Sequence, residues 1–291
     1  MRPYDQPAGE LLLSHGAAPL AEVPPTPRRR RVLPWLLFLA TCVSTYDVGG
    51  LAYAVPLMLI LTAHEMGHFV QAWRHSVPAS YPYFIPVPMP FSLIGTMGAV
   101  IGMRAHVGDR RALFDIAITG PLAGLVPALA CCVVGLQASS VVELPEQSLT
   151  LTLGEPLLFR WLSYWVFGPL GEHQDIALHP IAFAGWVGIF ITALNLIPIG
   201  QLDGGHILYS LLRRWAHPVA GALLLAAALA VIVAEYWAWT LMIVLLVLMG
   251  PQHPPTANDY VPLGRRRTVL GWLTLSFIVL GFTPTPFSLK G

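Results

Sequence analysis

Charge is scarce in this sequence. Asp, Glu, Lys and Arg make up only 11% of its 291 residues, less than half the ~25% of an ordinary soluble domain. With 55% hydrophobic residues and a mean hydropathy of +0.65, that scarcity excludes the soluble globular class and indicates a polytopic membrane protein. Cysteine is almost as rare. Cys42, Cys131 and Cys132 all lie in apolar runs, where they read as small packing residues, so neither a disulfide framework nor a thiolate metal site is expected. Any bound metal must then be held by histidine and carboxylate.

An early apolar run of the kind that opens a secretory signal is missing. A late one could be drawn from Arg28–Arg31 and Val32–Ala40, but no clear small-residue cleavage site follows it. Residues 1–31 are Pro-rich and polar and close on four arginines, as a disordered cytoplasmic tail with a basic anchor would. The tail keeps Asp5, Glu10 and Glu22 and is poor in serine, unlike an organelle transit peptide, so the expected address is a bacterial inner membrane. No internal repeat is visible.

Apolar segments that span, or nearly span, a bilayer occur at about 32–46, 50–73, 112–136, 179–198, 218–234, 238–250 and 268–283. Residues 203–212 read as a short helix of their own. The expected fold is therefore all-α and polytopic, with about seven (six to eight) transmembrane helices. Cytoplasmic loops carry the excess of Lys and Arg. With the N-terminus cytoplasmic, 14 of the 16 basic residues fall on that side, leaving Arg160 and Lys290 opposite. The acidic exterior loop, 137–178, fits the other face.

Tyr81–Met103 is apolar but cannot form an ordinary helix, because Pro82, Pro86, Pro88 and Pro90 interrupt it. Gly95–Ile101 then has strand character. Non-helical backbone at membrane depth must be buried in protein or line water, so a re-entrant β-hairpin against the active site is expected.

The segment Val55–Trp73 carries His64-Glu65-Met66-Gly67-His68. An ionisable residue at bilayer depth costs roughly 2.5–3.5 kcal/mol and marks a functional site. Residues four apart share a helix face, so both imidazoles can hold one zinc ion with Glu65 beside it. Catalytic zinc ordinarily has three protein ligands and an open position. A metzincin arrangement is excluded by Gln71 and Arg74, and a thermolysin-like one by the lack of any Glu between Glu65 and Glu143. The best third ligand is Asp203, which follows an apolar span that returns to the side where His64 and His68 lie. Pro198 and Gly200 break the helix there and let its carboxylate turn inward.

With His-Glu-x-x-His at 64–68, Gly120-Pro121-Leu122-Ala123-Gly124, and Asn195-x-x-Pro198 leading to Leu202-Asp203-Gly204, the chain resembles the site-2 proteases, which are zinc intramembrane metalloproteases. The likeness runs from about residue 50 to 212. Phe114-Asp115 and Gly200–Gly204 are similar to the branch with plastid homologues. The resemblance implies zinc held by His64, His68 and Asp203, Glu65 as the catalytic carboxylate, and Asn195 near the substrate. Some members insert PDZ domains of roughly 80 residues or more; the exterior loop here is too short for one.

The expected organisation is thus a tail (1–31), a metalloprotease core (32–212) and C-terminal transmembrane helices (213–291) without an assignable motif. The expected activity is hydrolysis of a peptide bond in or beside a transmembrane segment, releasing a signalling protein. Clearance of signal-peptide remnants, or a non-enzymatic role as metal transporter or inactive homologue, are the alternatives. The partners implied are a transmembrane protein substrate and the lipid bilayer, not nucleic acid. His206 reads equally as a residue that orients a ligand or binds substrate and as an interfacial histidine. His75, His106, His217 and His253 read as solvated, and Asp115 as either a buried pair or an interfacial carboxylate.

Overall fold

The computed structural model describes residues 29–103, 108–143, 150–171 and 173–290. The expected tail up to Arg28, and also Arg104, His106, Glu146 and Glu172, lie outside the described residues.

The chain begins with two helices, α1 (Arg29–Gly49) and α2 (Leu51–Arg74), so Arg29–Arg31 belong to a helix rather than to the tail. Between them Gly50 has φ +65°, a conformation that a side chain would strain. Strands β1 (Tyr83–Pro86) and β2 (Thr96–Val100) pair antiparallel, Tyr83 opposite Val100 and Phe84 opposite Ala99. A β-hairpin thus forms in the segment that the prolines interrupt, and it packs on α1, where Ser44 Oγ donates to the Gly95 carbonyl at 2.6 Å.

Helix α3 (Arg110–Gln137) starts where the Asp109 carboxylate accepts from the Ala112 N–H at 2.8 Å, an N-cap bond. The stretch after α3 contains more structure than its sequence suggests: β3 (Ser140–Glu143), β4 (Thr150–Leu153), α4 (Leu157–Phe167) and β5 (Gln174–Ala177). Then follow α5 (Pro180–Asn195), with Pro180 in its first turn, α6 (Asp203–Leu212), α7 (Ala216–Val233), α8 (Thr240–Met249), α9 (Arg265–Gly281) and β6 (Phe287–Lys290). β3 pairs with β5, and β4 with β6, both antiparallel. The all-α expectation is therefore amended: among the described residues the helical bundle carries three two-stranded ribbons. Two of them join four-residue strands that are distant in sequence, so that even the alternation of Thr150–Leu153 does not reveal its partner.

The core forms where α3 lies between α2 and α5. Leu57, Ile60, Ala128, Cys132, Leu136, Trp186, Val187 and Ile189 are buried together there. All three cysteines are free, as their apolar settings suggest. Away from this seam the surface is apolar. Val126, Val134, Leu225, Val233, Leu248 and Leu273 are all more than half exposed, a pattern suited to lipid rather than water. Among the described residues three helical stretches are long and apolar enough to cross a membrane, namely Val32–Gly49, Arg110–Gln137 and Asp203–Val233, while Pro180–Asn195 and Trp237–Met249 are apolar but shorter.

Close crossing of α3 and α5 depends on missing side chains. A Cβ at Gly135 would overlap the backbone of Ala182, and one at Gly185 would lie 2.6 Å from the Cys132 nitrogen and sulfur. Small residues at such crossings let helix backbones touch and gain dispersion contacts. Gly135→Ala is expected to destabilise the protein by about 1–3 kcal/mol through overpacking, read as a lower midpoint of thermal unfolding in detergent. Gly221→Ala, where a Cβ meets nothing within 4 Å, is the control expected to show no loss; equal midpoints for the two would contradict this account.

Candidate metal centre

Helix α2 carries His64, Glu65 and His68 inward, with exposures of 4, 3 and 8%. The two imidazoles sit one helical turn apart with ring centroids separated by 4.9 Å. They occupy space that α3 leaves free. A Cβ at Gly120 would overlap the His68 ring, one at Gly124 would lie 2.9 Å from the His64 Cβ, and Gly67 in turn faces the Thr119 carbonyl. The Gly-Pro-Leu-Ala-Gly motif is thus a recess for the two histidines, a role that its sequence alone does not reveal.

His68 Nδ1 lies 2.8 Å from the Ile116 carbonyl. A carbonyl can only accept, so Nδ1 carries the proton and Nε2 keeps a lone pair directed at the centre. Bonds of this kind fix the orientation of metal-binding imidazoles. Ile116 could not have been found from sequence, since it acts through its backbone.

The carboxylate arrives from the opposite side. After α5 ends at Asn195, the chain turns through Gly200, at φ +61°, into α6. Cβ atoms at Gly204 and Gly205 would overlap the carbonyls of Leu196 and Gly200. These glycines let the first turn of α6 pack onto the preceding loop, which turns Asp203 inward. Asp203 Oδ2 lies 3.1 Å from His64 Nε2 and 3.2 Å from His68 Nε2, and the two nitrogens are 3.2 Å apart.

Three donors in a nearly equilateral triangle suit one small cation. Atoms held about 2.0–2.1 Å from a tetrahedral zinc ion would be roughly 3.3 Å from each other. The nitrogen-and-carboxylate donor set also matches zinc. Asn195 Nδ2 stands 3.3 Å from His64 Nε2. All five residues singled out in the sequence therefore converge: Asn195, Glu65 and the three donors line one cavity of about 330 Å³. Ala99–Met103, at the end of the hairpin, border the same cavity. Among the described residues β2 pairs with β1 alone, so its other edge has unpaired backbone groups.

Three expectations about polar residues need correcting: the ring of His217, read as solvated, stacks on Tyr209 with its Nε2 buried. His253 is only 5% exposed, because its ring stacks on Tyr209 at 4.3 Å between centroids. His75 is not simply solvated: its Nε2 lies 3.2 Å from Asp115 Oδ2. Asp115 also receives two hydrogen bonds from Arg267, at 2.7 and 2.8 Å, which resolves it as a paired carboxylate joining α3 to α9.

The family model described as Peptidase family M50 matches residues 52–239, a stretch that contains the whole centre. The chain belongs to peptidase family M50. This M50 chain is 30% identical over 250 residues to the Arabidopsis thaliana protein described as "Probable zinc metalloprotease EGY1, chloroplastic", covering 80% of this chain and 42% of that one. It is 31% identical over 247 residues to Arabidopsis EGY2, described in the same terms, covering 83% and 43%. With rice EGY1 (Oryza sativa subsp. japonica) it shares 37% over 168 residues, 55% and 28% of the two chains. The chain thus spans less than half the length of these curated relatives. Their descriptions place them in chloroplasts and lend no support to the expected bacterial inner membrane. No solved structure matches the chain.

Removing the recess tests the M50 centre. Gly120→Ala is expected to displace the His68 ring and to lower zinc affinity by about tenfold or more, the loss typical when the support of a metal ligand is removed. Metal titration of the purified protein checks this, and unchanged affinity would contradict it.

Proposed function

We propose that this chain is a zinc-dependent intramembrane endopeptidase that cleaves a membrane-anchored protein within or beside a transmembrane segment, in regulated proteolysis that releases a signalling protein. The observation that carries the reading is the convergence of His64, His68 and Asp203 on one point beside the buried carboxylate of Glu65. Membership of family M50 and relatives described as zinc metalloproteases support it.

In this reading His64, His68 and Asp203 hold the ion. Zinc would supply Lewis acidity, polarising the scissile carbonyl and lowering the pKa of bound water toward about 7. Glu65 accepts the proton of the attacking water and returns it to the leaving amine. Asn195, whose amide nitrogen is beside the donor cluster, donates to the substrate backbone or the developing oxyanion. A helical substrate hides its carbonyls in its own hydrogen bonds, so it must unwind before attack. The free edge of β2 can take up the unwound segment by strand addition.

The seven-span topology with a cytoplasmic N-terminus and a re-entrant hairpin belongs to the same proposal. Contacts between basic clusters and neighbouring elements support it. Arg110 donates to the Ser210 and Leu211 carbonyls, Arg111 to that of Pro262, and Arg267 to Asp115. These clusters therefore gather at one end of the bundle, as the positive-inside rule requires. A bacterial inner membrane remains our proposed address, on the composition of the tail.

Glu65→Gln is expected to reduce cleavage of a transmembrane reporter by at least about 10²–10⁴-fold, the usual contribution of a general base, while zinc stays bound. Asp203→Ala should lose both zinc and cleavage. Cleavage by Glu65→Gln at the wild-type rate would overturn the assignment and favour a binding or transport role. Mass analysis of the products separates release of a regulator from clearance of signal-peptide remnants.

A further inference from the structure

The loop between α8 and α9, residues 250–264, comes from the part of the chain without recognisable motifs, yet it returns to the metal centre. It is held there by Ala257 N–H donating to the Gly108 carbonyl at 2.9 Å, by Tyr209 Oη donating to Asp259 Oδ2 at 2.7 Å and by Arg111 donating to the Pro262 carbonyl at 2.6 Å. Pro254 lines the cavity that holds the donor triad. Next to it, His253 is buried on Tyr209 and meets His206, which lines the same cavity.

The proton positions along this chain of groups follow from donor and acceptor chemistry. His253 Nδ1 lies 2.5 Å from the Pro254 carbonyl, which has no proton to give, so Nδ1 is the N–H. Burial lowers the His253 pKa, outweighing the opposite pull of that carbonyl, and keeps the ring neutral. Its Nε2 is then an acceptor. His206 Nδ1, 2.6 Å away, must donate to it. In the neutral His206 ring the remaining nitrogen, Nε2, is then bare. It has no hydrogen-bond partner among the described residues, and His206 stands outside the group of donors that lie within 4.8 Å of one another. It is thus not a fourth ligand to the same ion.

We propose that His253 is a positioning residue that locks His206 as the Nδ1–H tautomer, so that His206 offers a bare Nε2 to the cavity as acceptor for one backbone N–H of an extended substrate. A bare imidazole nitrogen accepts and cannot donate, so it distinguishes a peptide N–H from a carbonyl. An unwound segment drawn into a water-poor cavity exposes N–H groups that are costly to leave unpaired. Strand addition to β2 satisfies the groups on one edge of the segment, and His206 satisfies one on the other. The substrate half of this inference rests on the endopeptidase reading above; the tautomer half does not.

The test uses the full-length protein in lipid bilayers with ¹⁵N-labelled histidine, the His206 signals being assigned by their loss in His206→Asn. Solid-state NMR should find His206 protonated at Nδ1, although free histidine prefers Nε2, and His253→Phe should return it to Nε2–H. With a synthetic transmembrane peptide that the wild type cleaves, His253→Phe should lower kcat/KM about tenfold, within the worth of one hydrogen bond, at unchanged zinc content. His206→Asn, whose short amide can still reach His253 but has no atom at the Nε2 position, should do the same. Replacing single peptide N–H groups by ester oxygens should reveal one position where the wild type loses about tenfold and His206→Asn loses nothing. An Nε2–H tautomer in the wild type, or ester effects equal in both proteins at every position, would overturn the proposal. Absence of any Glu65-dependent cleavage would instead overturn the endopeptidase reading and leave the NMR result to decide the pairing of His253 with His206.

Discussion

The close approach of α2 and α3 at Gly67, Gly120 and Gly124 is the contact on which the site depends. Two imidazoles need room, and in a close-packed interior room exists only where neighbouring side chains are missing. The recess in α3 supplies it, and the Ile116 carbonyl, from the same stretch of helix, orients His68. One helix thus both makes space for a pair of histidines and sets the tautomer of one of them. The same economy recurs where α6 meets the end of α5: Gly204 and Gly205 permit the backbone contact that points Asp203 inward. Glycine in these helices is disfavoured by propensity, and the packing it permits outweighs that cost.

Legibility of the fold followed from how local each signal was. Apolar runs announced the helices, because a membrane-facing helix is apolar nearly all round and needs no periodicity to be seen. Pro82–Pro90 announced a break, and the hairpin lies there. The ribbons formed by β3 with β5 and β4 with β6 gave no such signal, since nothing in a four-residue strand, not even the alternation of Thr150–Leu153, names a partner so far along the chain. In the site, His64, Glu65, His68 and Asp203 could be singled out from their chemistry and spacing, and Asn195 through the family resemblance alone. What stayed hidden acts through backbone or through absence, as with the Ile116 carbonyl and Gly120.

Histidines outside the motif show the same limit from another direction. A histidine beside a proline-rich loop, such as His253, is most economically read as solvated. Its burial arises because Arg111, Tyr209 and the Gly108 carbonyl each tie down a different part of residues 250–264. None of these contacts is implied by spacing along the chain. The C-terminal third, which has no motif, therefore contributes to the cavity by tertiary contacts alone.

The donor triad also constrains how the two halves of the core stay together. His64 and His68 ride on α2, Asp203 on α6, and between them stand 134 residues of chain. A largely buried carboxylate facing two imidazoles is costly without a compensating positive charge. A cation at their centre would satisfy all three and join α2 to α6 directly. Metal binding and the docking of α6 are therefore thermodynamically linked: whatever favours one favours the other by the same amount. The glycine contacts at Leu196 and Gly200 hold α6 nearly in place beforehand, so little of the binding energy of the ion need be spent on ordering the chain.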